Sequence, residues 1–242
     1  MKIAIAQTKP VKGDISANII AHKKLVSLAV AQDANAIFFP ELSITGYEPT
    51  LASKLAIDAF DSSLDEFQEI SNTNKIIIAV GMPTVGNSGI HITMIIFQPH
   101  AKREIYHKQF LHEDELPWFV AGNQQFYINI DGHKIATAIC YELSVPAHSE
   151  NTFKNGADTY VACVAKTAAG MERSARQLSD IAKNYGMTVL IANSTGYSDN
   201  FLSAGQSAAW NNKGELLTRL DDVNEGIILL DTVTQQVIQT II

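Results

Sequence analysis

Lys134–Pro146 reads KIATAICYELSVP, an apolar run that ends on a cysteine and is then stopped by proline. The residues before Cys140 have the character of a half-buried strand. Pro146 forbids a simple continuation of that strand. A cysteine at a strand exit is either a small core residue, as most free cysteines are, or a nucleophile held at a sharp turn. Spacing alone leaves both readings open.

Working outward, residues 125–131 lead into this run across Asp131-Gly132, a turn pair that favours a hairpin. Upstream, residues 2–8 (KIAIAQT) read as a strand. Residues 15–34 place apolar side chains at helical spacing behind a cap at Asp14 or Ser16. AIFFPEL is a buried strand that ends at Pro40, and residues 58–72 are helical. KIIIAVGMPTV and HITMIIFQPH are strands. Residues 104–110 (EIYHKQF) form a short strand running into the loop HEDELPWFVAGNQ. Downstream come a short helix over 146–155, the strand TYVACVA, a helix over 171–185 and the strand MTVLIAN. GQSAAWNNKGELLTRL reads as two strands joined at Asn-Lys-Gly, and GIILLDTV is the last strand. Strands and helices interleave first and hairpins dominate later. That order predicts an α/β fold with mixed sheets and helices on their faces. No linker, low-complexity tract or repeat interrupts it, so residues 1–242 are expected to form a single domain.

The bulk numbers narrow the function classes. The chain has 242 residues, 46% hydrophobic and 18% charged, ordinary values for a globular protein with a large core. A net charge of −7 without a Lys/Arg cluster argues against a nucleic-acid surface. Its two cysteines, Cys140 and Cys163, suit neither a disulfide scaffold nor a CxxC motif, and fit a reduced, cytoplasmic setting. The N-terminal MKIAIAQTKP alternates polar and apolar and lacks the longer apolar core of a signal peptide. No stretch approaches the ~20 apolar residues of a membrane span, so no membrane partner is expected.

Three chemistry-bearing residues stand at three strand exits: Glu41 after AIFFP, Lys108 after EIYH and Cys140 after ATAI. Sites in α/β proteins gather where strands end. A thiolate is a nucleophile, and a nearby ammonium favours it. A carboxylate can take the thiol proton and later activate water. The ammonium, with a backbone N–H just after the cysteine, can hold a developing oxyanion. Each residue also has a plainer reading: Glu41 as a loop charge, Lys108 as a surface lysine, Cys140 as core.

The ordered set FFPELSITGY, IYHKQFLHEDE and TAICYELSVP resembles the nitrilase superfamily, the carbon–nitrogen hydrolases. IAIAQ at the N-terminus and ANSTG…GQSAAWNNKGE near the end also resemble it, so the likeness covers essentially the whole chain. It implies a four-layer α-β-β-α sandwich and members that dimerise or form larger homo-oligomers. It implies Glu41 as general base, Lys108 as support for the tetrahedral intermediate and Cys140 as nucleophile. A further glutamate falls to Glu115, in ELPWFVAG closed by Gly122, with Glu113 as the fallback. The Tyr141 backbone N–H matches the oxyanion donor, and Tyr47 closes the first motif on the substrate side. The implied reaction passes through a thioester on a small amide substrate and needs no metal or organic cofactor. The amide reading, an ω-amide of a dicarboxylic acid above all, stands ahead of an N-carbamoyl substrate, a nitrile, or a non-catalytic binding protein.

Departures from the family pattern are informative. Ser144 stands where arginine is common, so Glu142 needs another partner or exposure, because an unpaired buried carboxylate is costly. Ala147 stands where relatives carry an acid. After TYVACVA the chain reads AKTAAGMERSARQ without the usual aromatics, which leaves Lys166 either to bind a substrate carboxylate or to lie in solvent. His107 and His112 flank the lysine motif, but a metal site needs three or more convergent ligands, and they read as loop or core histidines. Cys163 reads as core.

Overall fold

A computed structural model describes residues 1–242. The first part of the chain runs β1 (Lys2–Gln7), α1 (Ile15–Val30), β2 (Ala36–Phe38), α2 (Ala52–Leu55), α3 (Asp65–Asn74), β3 (Ile77–Gly86), β4 (Gly89–Phe97) and β5 (Glu104–His107). The middle adds β6 (Tyr127–Ile130), β7 (His133–Ile139), α4 (Pro146–Lys154), β8 (Thr159–Val164), α5 (Ala168–Tyr185) and β9 (Thr188–Asn193). Six further strands follow: β10 (Thr195–Ser198), β11 (Phe201–Ala204), β12 (Ala208–Trp210), β13 (Leu216–Arg219), β14 (Gly226–Asp231) and β15 (Val237–Ile241). A 7-stranded sheet has the order β15-β14-β1-β2-β3-β4-β5, and a 6-stranded sheet the order β13-β12-β9-β8-β7-β6. Both are mixed, with parallel pairs at β1–β2–β3 and β7–β8–β9.

Alternation along the strands builds the layers, because successive side chains leave a strand on opposite faces. Ile3 and Ile5 enter one core while Ala4 and Ala6 enter another. In β8, Val161 and Cys163 face the first sheet, while Tyr160, Ala162 and Val164 face the helices. The core between the sheets joins Ile3, Ile5 and Phe38 to Ile135, Ile139 and Leu190. Outside the first sheet lie Leu25, Val26 and Ala29 of α1 and Phe67 of α3. Outside the second lie Leu178, Ile181 and Ala182 of α5. The result is the expected α-β-β-α sandwich. No helix is long and apolar enough to cross a membrane.

Local chemistry sets the boundaries. Asp14 caps α1 by accepting the Ala17 N–H at 2.9 Å. Asp131 and Gly132 both take positive φ, 49° and 84°, as a two-residue hairpin turn requires. The helix expected over 58–72 begins later, at Asp65 after a 3-10 turn, because Asp58 and Asp61 bind the Phe60 and Ser63 N–H groups instead (both 2.8 Å). The helix expected from 171 begins at Ala168, capped by the Thr167 hydroxyl. Two features stand beyond the sequence reading, the β10–β11 hairpin and β15, which follows the strand taken as last.

Candidate active site

Three strand exits converge. Glu41 follows β2 on a segment threaded against β3, where the Ile44 N–H donates to Gly81 O at 2.9 Å. A Cβ on Gly81 would lie 2.5 Å from the Leu42 nitrogen and 2.6 Å from Pro40 O, so only glycine lets this segment approach. Leu42 turns left-handed at φ 50°. Lys108 follows β5, and Gly122, which donates to Lys108 O at 2.7 Å, packs where a Cβ would strike His107 O at 2.4 Å. Cys140 follows β7 as the first residue of a 3-10 turn, Cys140–Ser144, at φ 46°. A left-handed conformation costs a residue with a Cβ ~1–2 kcal/mol. The turn that aims the thiol is therefore a strained one.

The Lys108 ammonium is fully buried and donates to Glu41 Oε1 at 2.7 Å and to Glu115 Oε1 at 2.6 Å. The two glutamates differ in what else they hold. Glu115 Oε1 also accepts from Tyr47 OH at 3.0 Å, and its Oε2 accepts the His112 N–H at 2.8 Å. Both its oxygens are committed. Glu41 Oε2 is buried without a hydrogen-bond partner, and Glu41 and the Cys140 thiol lie close enough for each to shift the other's pKa. Burial pushes the Glu41 carboxyl up to about 7; Lys108 pulls it down, Glu115 raises it and the thiol lowers it. Burial works against the Lys108 charge but is outweighed by Glu41, Cys140 and Glu115, which hold its pKa above the ordinary value. Burial and Glu41 push the Cys140 thiol up to about 11, against the pull of Lys166 and Lys108.

A cavity of about 230 Å³ opens over Cys140. Tyr47 and Phe201 form an aromatic wall, with ring centroids 5.7 Å apart. Tyr141 lines it next to the cysteine, its ring met edge-on by His112 at 5.3 Å. Lys166 and Arg173 also line it. Of the residues singled out in the sequence, Glu41, Lys108, Cys140 and Glu115 come together, and Tyr47, Tyr141 and Lys166 line the cavity. Glu113 does not: it is exposed on a 3-10 turn outside the cavity. His107 binds Thr93 Oγ1 at 2.8 Å and stacks on His91, and Cys163 is buried between the sheets. No cluster of three or more His, Cys, Asp or Glu side chains is placed to hold a metal ion.

Glu142 has the partners that Ser144 cannot supply. It accepts the Ile139 N–H at 2.7 Å, the Gln109 N–H at 2.6 Å and the Tyr106 hydroxyl at 2.8 Å from either oxygen. One buried carboxylate thus ties the residue after Lys108 to the residue before Cys140. Arg173 and Phe201 were not legible as site residues: Arg173 reads as an ordinary member of an amphipathic helix, and Phe201 lies on the hairpin beyond the sequence reading.

The family model described as carbon-nitrogen hydrolase matches residues 2–242. The chain belongs to the carbon-nitrogen hydrolase family. Among curated proteins, it is similar to the glutamine-dependent NAD(+) synthetases of Aquifex aeolicus (24% identical, over 94% of this chain and 41% of that protein) and Acinetobacter baylyi (25%, over 89% and 41%). It therefore spans about two fifths of the length of these relatives. Among solved structures, this carbon-nitrogen hydrolase resembles the amidase from Nesterenkonia sp. AN1, with TM-score 0.86 at 22% identity over 96% of this chain and 92% of that one. A cysteine-to-alanine mutant of that amidase, solved in complex with butyramide, matches with TM-score 0.86, also at 22% identity, over 96% and 90%. The glutamine-dependent NAD+ synthetase from Acinetobacter baumannii matches at 0.80 with 21% identity, over 98% of this chain and 46% of that one. These likenesses carry the fold.

Proposed function

We propose that the chain hydrolyses a small carboxamide through a thioester on Cys140, releasing ammonia and a carboxylic acid. The observation that carries this is the unpartnered, buried Oε2 of Glu41, a carboxyl close enough to the Cys140 thiol for each to shift the other's pKa, while Lys108 holds the other oxygen. Glu41 takes the thiol proton as sulfur attacks the amide carbon. The carbonyl π pair moves to oxygen, where the Lys108 ammonium and the Tyr141 N–H, near the start of the 3-10 turn, stabilise it. Collapse breaks the C–N bond, and the proton on Glu41 goes to the departing nitrogen. Water then attacks the thioester, Glu41 again takes the proton, and returns it to the leaving sulfur. Glu115 is reserved for positioning, because its oxygens hold Lys108, Tyr47 and the His112 backbone.

The cavity of about 230 Å³ lies below the ~300 Å³ at which drug-sized pockets begin, which suits a substrate of few heavy atoms. A second reading takes the amide from glutamine, the molecule in the names of the curated relatives. The test is ammonia release from a panel of small amides, glutamine and N-carbamoyl compounds, with Cys140→Ala as control. Release that vanishes in the variant is expected. Release that survives it overturns the thioester route, and a panel consumed only as N-carbamoyl compounds overturns the amide reading.

A further inference from the structure

The cavity over Cys140 has two cations in its lining, Lys166 and Arg173. Lys166 follows β8 with its backbone fixed by the fully buried Asn193, whose Oδ1 accepts the Lys166 N–H at 2.9 Å and whose Nδ2 donates to Lys166 O at 3.1 Å. Ala204 also donates to Lys166 O, at 2.9 Å. The backbone is held from two sides, while the ammonium makes no ion pair and lines the cavity. Arg173, on α5, lines the same cavity. The acid beside it, Glu172, is taken up by Arg176 at 3.0 Å. Of the lining acids, Asp114 is hydrogen-bonded to His112 at 2.6 Å and Glu115 is ion-paired to Lys108. Neither Lys166 nor Arg173 has an ion-pair partner. Gly170, in the first turn of α5, also lines the cavity, and a helix start favours negative charge.

We infer that Lys166 and Arg173 form a carboxylate subsite, so that the amide cleaved at Cys140 belongs to a molecule carrying a carboxylate at its other end. This rests on the hydrolase reading above for the word substrate, though not for the subsite itself. The Lys166 charge already reaches Cys140, where it is foremost among the groups that draw the thiol pKa down. The carboxylate end therefore lies close to the reacting amide, as in a short ω-amide, rather than at the end of a long chain.

Two matched pairs test this. Succinamate and butyramide have nearly the same length and differ in the terminal charge. Iodoacetate and iodoacetamide differ likewise, and report on Cys140 without any hydrolysis. In the wild type, kcat/KM is expected to favour succinamate over butyramide by at least tenfold. The double variant Lys166→Gln, Arg173→Gln is expected to lower both the succinamate:butyramide ratio and the iodoacetate:iodoacetamide rate ratio by about tenfold. Taking ratios cancels any general change in thiol reactivity, and a thermal melt on each variant confirms folding. If both ratios stay at their wild-type values, the subsite is wrong even though amides are hydrolysed. If no amide is hydrolysed but the alkylation ratio still drops, the subsite stands and the hydrolase reading fails.

Discussion

Replacing Glu142 by glutamine keeps the side chain's shape and turns one oxygen into a donor. In the wild type, Oε1 accepts the Gln109 N–H at 2.6 Å and Oε2 the Ile139 N–H at 2.7 Å. Whichever way the new amide turns, its NH2 faces one of these backbone donors. The Tyr106 hydroxyl, 2.8 Å from both oxygens, can rotate to accept, but a backbone N–H cannot. One buried N–H is therefore orphaned, at ~1–3 kcal/mol, together with the loss of a charge-assisted bond. Against this stands relief of the buried charge: burial raises the Glu142 pKa, so the carboxylate is less at ease here than in water. The net loss expected is about 2 kcal/mol. In urea, with a slope of ~3 kcal/mol/M, the midpoint should fall by about 0.7 M. Glu142→Ala orphans both donors and leaves a cavity, so its loss should be roughly double. Because Glu142 joins the exits carrying Lys108 and Cys140, Glu142→Gln should also slow iodoacetamide alkylation of Cys140 and lower kcat by about tenfold, a ~1.4 kcal/mol effect. Midpoints within about 0.2 M of wild type for both variants would refute the clamp, since two orphaned donors cannot be that cheap.

Four further outcomes follow from the same geometry. Glu41 is a base only when ionised, and its carboxyl is raised to about 7, so kcat/KM should fall below neutrality to about a tenth at pH 6; a limb near pH 4 would deny the raised carboxyl. The same shift makes the fold lose stability as pH rises from ~4.3 towards 7, because folded Glu41 keeps its proton over a window in which the unfolded chain releases it. Since Cys140 sits at φ 46°, Cys140→Gly should be more stable than Cys140→Ala by about 1 kcal/mol in urea unfolding, the reverse of the usual order, and equal midpoints would mean the turn is unstrained. Gly81→Ala puts a Cβ 2.5 Å from the Leu42 nitrogen, so the Glu41 segment must move; a variant with wild-type ammonia release and melting would show that the close approach is dispensable.

Much of this was readable in the sequence because the strands carry two cores at once. A strand buried on both faces is apolar throughout, so KIAIAQ and TYVACV are conspicuous. The three strands beyond that reading, β10, β11 and β15, lack such burial along their whole length. Val237–Ile241 is largely exposed at the sheet edge, and TGYS of β10 is mostly polar. The convergence of Glu41, Lys108 and Cys140 was suggested by their common position at strand exits, but only the folded sheets place Glu115 on the same ammonium. Glu142 shows the limit well. Its acid is visible in the sequence, whereas its closest partners are two backbone N–H groups and a tyrosine distant in the chain. Backbone donors have no residue signature. The cationic pair was half visible, since Lys166 stands just past a buried strand while Arg173 reads as one more charge on an amphipathic helix.

On the proposed route, the charge arrangement explains how a thiol with a raised pKa could react. Two carboxylates and one ammonium sit buried together, a net negative cluster, and the thiol beside them is protonated at rest. Full ionisation of Cys140 into solution would add a second buried negative charge, which burial and Glu41 oppose. Transfer of the same proton to Glu41 adds none: the negative charge moves from carboxylate to sulfur, within reach of Lys108. On attack it moves again, to the carbonyl oxygen, still beside a buried ammonium that needs no reorganisation. A Glu41 carboxyl raised to about 7 is suited to accept a proton in each half-reaction and return it. Glu115, holding Lys108 with one oxygen and the loop backbone with the other, keeps the ammonium from following the charge.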